Sequence, residues 1–361
     1  MSRHLVVTIT HHGLGHFAQT APVLNALRRR LPQLRLTLVT TIPEAKLRER
    51  IEGEFSLQER ALDFGFVMRD ALNIDAARSA RAYRDLHEQW DARVAEEAQW
   101  LACLQADAVL ANVAYLPLAA AGALGLPAFA MSSLNWADLF AHSYAGEAWS
   151  PAIHAQMLAA DRCARLFIRL IPAMPMPDLP LVRAVGPVAR VGRRRRAELM
   201  ARLGGQEGER LVAVMFGGVE KRLPMETWPL GPDIRWLVPQ SWQIRHPRVH
   251  ALEPLLWDYT DIIASVDAVI GKPGYGTFVE AACNDTPTLY ALRNDWPEQA
   301  WLVDWLKQHA RCLDVDLAAL ESGDVRDGLA QLWRQAPVPV PPATGADEAA
   351  ALLARHLGYI P

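Results

Sequence analysis

The chain has 361 residues, 51% of them hydrophobic and 21% charged, with a formal net charge of -3. That length exceeds one ordinary α/β domain and suits two, each able to bury a core, while the charge lacks the basic excess that nucleic-acid binding requires. Cys103, Cys163, Cys283 and Cys312 are scattered, with no CxxC pair and no histidines at zinc spacing, which points away from disulfides and metal and toward a reducing cytoplasm.

The N-terminus enters a strand, HLVVTIT, without the basic start, apolar run and small-residue cleavage site of a signal peptide. THHGLGHFA, from Thr10 to Ala18, then carries three histidines and two glycines where that strand gives way to an amphipathic helix. GLGHFA satisfies the dinucleotide fingerprint GxGxxA. The second strand, LRLTLVTT, however ends in threonine where an acidic residue would bind the ribose, which argues against a dinucleotide. The dipole at a helix N-terminus disfavours imidazolium, so a histidine there stays neutral and able to accept a proton. His16 is the first candidate for a general base and His12 the second; capping or packing is the alternative for each.

Ala108 to Met131 is almost wholly apolar and about as long as the ~20 residues of a membrane helix. Pro117 and Gly125-Leu126-Pro127 divide it into strand DAVLANV, a helix, and strand PAFAMSS, so no integral membrane segment is expected. LNWADLFAHSY, from Leu134 to Tyr144, either lines an acceptor pocket or packs as a core helix. AMPMPDLPLVRAVGPVARVG, ending at Gly192, is proline-rich with little periodicity and reads as a linker.

Strands RLVAVMFGG, DIRWLVP, DAVIG and PTLYAL alternate with helical stretches in the second half, as in the first, which specifies parallel α/β architecture in two Rossmann-like domains. Gly217 and Gly218 either turn the chain or let a diphosphate lie against the backbone. IGKPGYGTFVEAA is a second strand-to-helix turn, in which Gly274 and Gly276 open backbone N–H groups to an anion and Lys272 adds a mobile charge. Thr277 and Glu280 match a TxxE capping box; for Glu280 the functional alternative is to accept hydrogen bonds from a ribose diol. RNDWPEQAW gathers Asp295, Glu298 and Gln299 where carboxyl ends of parallel strands form ligand sites, or else carries solvated loop charges. After the proline-rich APVPVPPATG, ADEAAALLARHLG reads as an amphipathic helix that packs back on the first domain. The expected division is 1–180, 181–340, and a crossing segment with its helix over 341–361.

The GLGH turn, FGG opening the second half, and DYTDIIASVDAVIGKPGYGTFVEAACNDTPTLYALRNDWPEQ together resemble the nucleotide-sugar glycosyltransferases of the GT-B fold. The wording is closest to the glycosyltransferase-like N-terminal region of L-arabinokinases, which carries GHGFGH and GKxGYGT in similar order. More distantly it is similar to the N-acetylglucosaminyltransferase of lipid-linked peptidoglycan synthesis. His11 departs from the first pattern and Lys272-Pro273 from the usual transferase turn.

The resemblance implies an α/β protein with two Rossmann-like domains facing across a cleft, the first for acceptor and the second for donor. It implies no cofactor, with a nucleotide-diphosphate sugar of UDP type as substrate. Glu280 would hold the donor ribose, Gly217, Gly218, Gly274 and Thr277 the diphosphate, and Asp295, Glu298 and Gln299 the sugar hydroxyls. His16 would deprotonate the acceptor, and the backbone at Leu237 and Val238 would face the base. The expected activity is cytoplasmic, metal-independent, inverting transfer to an unknown acceptor. A nucleotide-sugar hydrolase or epimerase, and a non-catalytic nucleotide-sugar binding module, are the alternatives.

Overall fold

Strands buried on both faces read as continuous apolar runs, and those runs assemble into two wholly parallel sheets. A computed structural model describes residues 3–218 and 221–358. Within them the first sheet has seven strands: β1 (His4–Ile9), β2 (Arg35–Val39), β3 (Ser56–Gln58), β4 (Ala108–Asn112), β5 (Ala128–Ser132), β6 (Leu166–Leu170) and β7 (Val182–Val185). Its order is β3-β2-β1-β4-β5-β6-β7. The second has six: β8 (Arg210–Met215), β9 (Ile234–Val238), β10 (Val249–Ala251), β11 (Ala268–Gly271), β12 (Thr288–Tyr290) and β13 (Cys312–Asp314). Its order is β10-β9-β8-β11-β12-β13. Each sheet starts at a central strand and reverses direction beside it, between β1 and β4 and between β8 and β11. A crevice opens at such a switch point, outside the carboxyl ends of the strands.

The two crevices face each other. The helix Gly15–Arg30 follows β1 and the helix Tyr275–Cys283 follows β11, and they meet at their first turns. A Cβ added at Gly276 would lie 3.2 Å from Ala18 Cβ, and one at Gly218 would lie 2.7 Å from the backbone nitrogen of Leu14. Close approach of the two halves therefore requires glycine at 218 and leaves little room for a side chain at 276.

The apolar run from Ala108 resolves into β4, the helix Leu116–Ala123 and β5, as the punctuation indicates. Among the described residues no helix is long and apolar enough to cross a membrane. The stretch read as a linker is not one throughout: Val182–Val185 is an edge strand paired in parallel with β6. Arg183 and Ala184 are exposed, so no apolar pattern marks it, and the first sheet extends past residue 180.

The helix Gly345–His356 returns to the first half. Ala349, Ala350 and Leu353 pack into one core with Leu24 and Leu27 of the first helix. Glu348 accepts a hydrogen bond from the Gly186 backbone at 2.9 Å, and the Gly345 N–H donates to the Pro187 carbonyl at 3.0 Å. Leu353 is fully buried, so Leu353→Ala is expected to cost about 2–5 kcal/mol, read as a lowered denaturant midpoint. A midpoint equal to that of the parent would show that this helix does not stabilise the first half.

Candidate active site in the cleft

His16 occupies the first turn of the helix after β1 and is 6% exposed. Its Nδ1 lies 2.9 Å from Oδ1 of Asn112, which ends the neighbouring strand β4. The Asn112 amide is oriented by its own donor: Nδ2 reaches Thr20 Oγ1 at 2.9 Å and Gln19 Oε1 at 3.1 Å. That bonding pattern assigns the proton to Nδ1 of His16 and leaves Nε2 with a free lone pair. Burial lowers the His16 pKa to about 4, although the Asn112 hydrogen bond opposes the shift.

The bonds continue in one direction. Gln19 Nε2 donates to Ser133 Oγ at 2.8 Å, and Ser133 Oγ donates to Glu298 Oε1 at 2.7 Å. Trp296 Nε1 donates to the other oxygen of Glu298 at 3.0 Å. Glu298 thus bonds across the cleft to a residue of the first half, with each of its oxygens engaged by a donor. Gln299 is likewise engaged, since its side-chain amide bonds both the N–H and the carbonyl of Arg293, each at 2.9 Å. Asp295 is exposed, with φ of +50°. Its Oδ1 lies 2.7 Å from Nε2 of His142, across the cleft.

His12 lies on the same turn, its Nδ1 3.3 Å from the Phe64 carbonyl. Its ring stacks on Trp296 at 5.7 Å and meets Trp136 edge-on at 5.3 Å. Burial, helped by the positive neighbours His16, Arg293 and Lys272, lowers its pKa to about 3. Burial, with Arg293 next, also lowers the Lys272 pKa to about 7. Trp136 donates its indole N–H to Asp63 Oδ2 at 2.7 Å, and burial raises the pKa of that carboxyl. The segment Leu134 to Tyr144 packs as a core helix: Trp136, Leu139 and Phe140 are all buried, and Trp136 packs against the two histidines.

Glu280 is no helix cap. The helix begins at Tyr275 with Gly274 as its N-cap, so Thr277 already lies inside the first turn and no capping box forms. The carboxylate is instead paired with Arg50 of the first half, Nη1 to Oε1 at 2.9 Å, with side chains 14% and 3% exposed. Burial raises the Glu280 pKa and Arg50 opposes the rise. A cavity of about 340 Å³, lined by the 48–54 segment and Arg190, lies on the Arg50 side of this pair, and Glu280 is not among its lining residues. Gly217 has φ of +77° and open space beside it, and the turn Lys272–Gly274 aims the next helix's N-terminus at the first helix. Leu237 and Val238 end β9 with side chains in the core, and the Val238 carbonyl already accepts from Leu252 at 2.9 Å. Only the strand end itself remains to face a base. Arg50, Asp63, Asn112 and Ser133 lie among these groups and were not marked by sequence motifs, while Arg293 opens RNDWPEQAW without having been singled out there.

No protein-family model matches the chain. An L-arabinokinase of Arabidopsis thaliana is 27% identical over 312 residues, covering 85% of this chain, and the chain spans only 30% of that protein's length. Among solved structures, UGT89C1 of Arabidopsis thaliana in complex with UDP superposes with a TM-score of 0.62 at 14% identity, covering 99% of this chain and 100% of the other. The glycotransferase of kitacinnamycin gives 0.61 at 16% identity, covering 99% and 95%. The fold is GT-B. A third GT-B structure, Phytolacca americana UGT2 with UDP-2fluoro-glucose and pterostilbene, gives 0.57 at 14% identity, covering 99% and 100%.

The folded GT-B chain keeps His16 neutral down to about pH 4, whereas an unfolded histidine titrates near 6.5. Between those values the unfolded state binds more protons, so stability falls as pH drops through that window, by up to about 1.4 kcal/mol per pH unit for this group. His16→Gln is expected to flatten that slope in denaturant titrations, and NMR of the imidazole should place its midpoint near 4. A midpoint near the unperturbed value would refute the buried, neutral assignment.

Proposed function

We propose that this protein transfers a sugar from a nucleoside-diphosphate sugar, of UDP type, to an acceptor, by a single inverting displacement that needs no metal. The observation that carries the reading is His16: a neutral imidazole of fixed tautomer where the carboxyl ends of both sheets converge. The first half would hold the acceptor and the second the donor. The complexes of GT-B neighbours with UDP and with UDP-2fluoro-glucose and pterostilbene support a donor of UDP type and a separate acceptor, and the scattered cysteines fit a cytoplasmic site of action.

In this reading Nε2 of His16 takes the proton of an acceptor hydroxyl while its oxygen attacks the anomeric carbon. The bond from that carbon to the diphosphate breaks on the opposite face, which inverts the centre, and the electron pair leaves with the diphosphate. Gly217, Gly218, Gly274, Gly276 and Thr277 let the leaving group approach backbone N–H groups, and the helix N-terminus with Lys272 supplies the opposing charge. Glu280 accepts the ribose hydroxyls when Arg50 withdraws. Asp295 faces the sugar, and the strand end at Leu237 and Val238 faces the base. His12, held beside the base by Trp296, shields the reacting centre.

A non-catalytic nucleotide-sugar module is the second reading, favoured by the match to part of a protein named as a kinase. Sugar transfer detected with a panel of acceptors separates the two. General-base catalysis contributes ~10²–10⁴-fold, so His16→Ala should lower turnover by about that much and leave donor binding intact. An unchanged rate removes His16 from the reaction.

Nucleotide binding is read by thermal shift. UDP at 100 times its dissociation constant should stabilise the protein by ~2.7 kcal/mol, and Glu280→Gln should erase most of that gain. A full shift in the variant would detach Glu280 from the ribose.

A further inference from the structure

Arg293 is a buried cation whose side chain has no ion-pair or hydrogen-bond partner among the described residues. The residue is 7% exposed, and its Nε is buried with no hydrogen-bond acceptor. Among the described residues no carboxylate forms an ion pair with it. Its position is nevertheless tightly held. Gln299 clamps its backbone on both sides, and its guanidinium carbon lies 3.7 Å over the ring of Trp296, the ring that stacks on His12. Glu298 is near enough to steady the charge, yet its oxygens are taken by Ser133 and Trp296.

Leaving a guanidinium buried and unpaired is costly, and its planar fork matches a carboxylate by two parallel hydrogen bonds. The same end of the cleft is poor in free acceptors. Glu298 and Gln299, the groups expected to receive sugar hydroxyls, are engaged within the protein. A neutral hydroxymethyl group placed beside Arg293 would meet a cation, with both oxygens of Glu298 and the amide of Gln299 already bonded and only the exposed Asp295 left as a carboxylate acceptor. An anionic substituent would satisfy what the protein leaves open.

We propose that the donor sugar carries a carboxylate, as in a uronic acid, and that Arg293 is the specificity-determining residue that receives it. This rests on the donor reading above. A uronate has its carboxylate on C5 and its diphosphate on C1, at opposite sides of the ring oxygen. Arg293 and Lys272 would therefore hold one anion each, and the perturbation of Lys272 by Arg293 places the two cations in one neighbourhood.

The test is calorimetric titration of the full chain with UDP, UDP-glucose and UDP-glucuronate, the two sugars differing only at C6. UDP-glucuronate is expected to bind about 10-fold or more tightly than UDP-glucose, the size of one charge-assisted contact. Arg293→Gln should remove that preference and weaken UDP far less, and Arg293→Lys should retain part of it. Equal affinity of the parent for the two sugars overturns the proposal, and this comparison needs no variant to fold. A loss of UDP binding in Arg293→Gln as large as the loss of UDP-glucuronate binding would assign the guanidinium to the diphosphate, which also overturns it. UDP bound without sugar preference sinks this proposal alone, whereas no binding of UDP sinks the donor reading with it.

Discussion

The directed row of hydrogen bonds from His16 to Glu298 is the constraint on which the site depends. Asn112, Gln19 and Ser133 each accept from one neighbour and donate to the next, and the row ends on a carboxylate that only accepts. Such a bond contributes about 0.5–1.5 kcal/mol net, but a buried group left unsatisfied costs about 1–3 kcal/mol. All five residues are buried, so the row resists partial reversal. Because its end lies in the second half and its start in the first, the protonation pattern of His16 is tied to contact between the two halves.

That contact is made where side chains are absent. Gly218 meets the backbone of Leu14 and Gly276 the small side chain of Ala18 at the floor of the cleft, and the charged pair of Arg50 with Glu280 bridges the halves as well. A ligand using Glu280 competes with Arg50, so its apparent affinity is lowered by the fraction of molecules in which the pair is made.

Much of the architecture was legible because parallel strands covered on both faces must be apolar. The eight apolar runs from HLVVTIT to PTLYAL all became strands. β3, β7 and β10 escaped notice because they are short or edge strands with half-exposed residues, and β6 carries Arg169 in its middle. The glycine turns made His16, His12 and Lys272 visible. Their partners were not, because Asn112 lies 96 residues from His16, and Arg50 lies 230 from Glu280. The apparent capping box at Thr277 failed for a local reason: the turn after β11 is so short that the N-cap is Gly274, three residues earlier. Arg293 stood inside a recognised motif, yet only the fold reveals that its acidic neighbour is spent on other donors.

The returning C-terminal helix has a mechanical consequence. The second sheet is an insertion in the first half, entered after Val185 and left before Gly345, and both passages run side by side, joined by the bond from Gly345 to Pro187. Two adjacent tethers forbid a swivel and allow a hinge. A rotation of the second sheet about this paired crossing would act on both of the contacts that bridge the halves, Glu280 with Arg50 and Glu298 with Ser133.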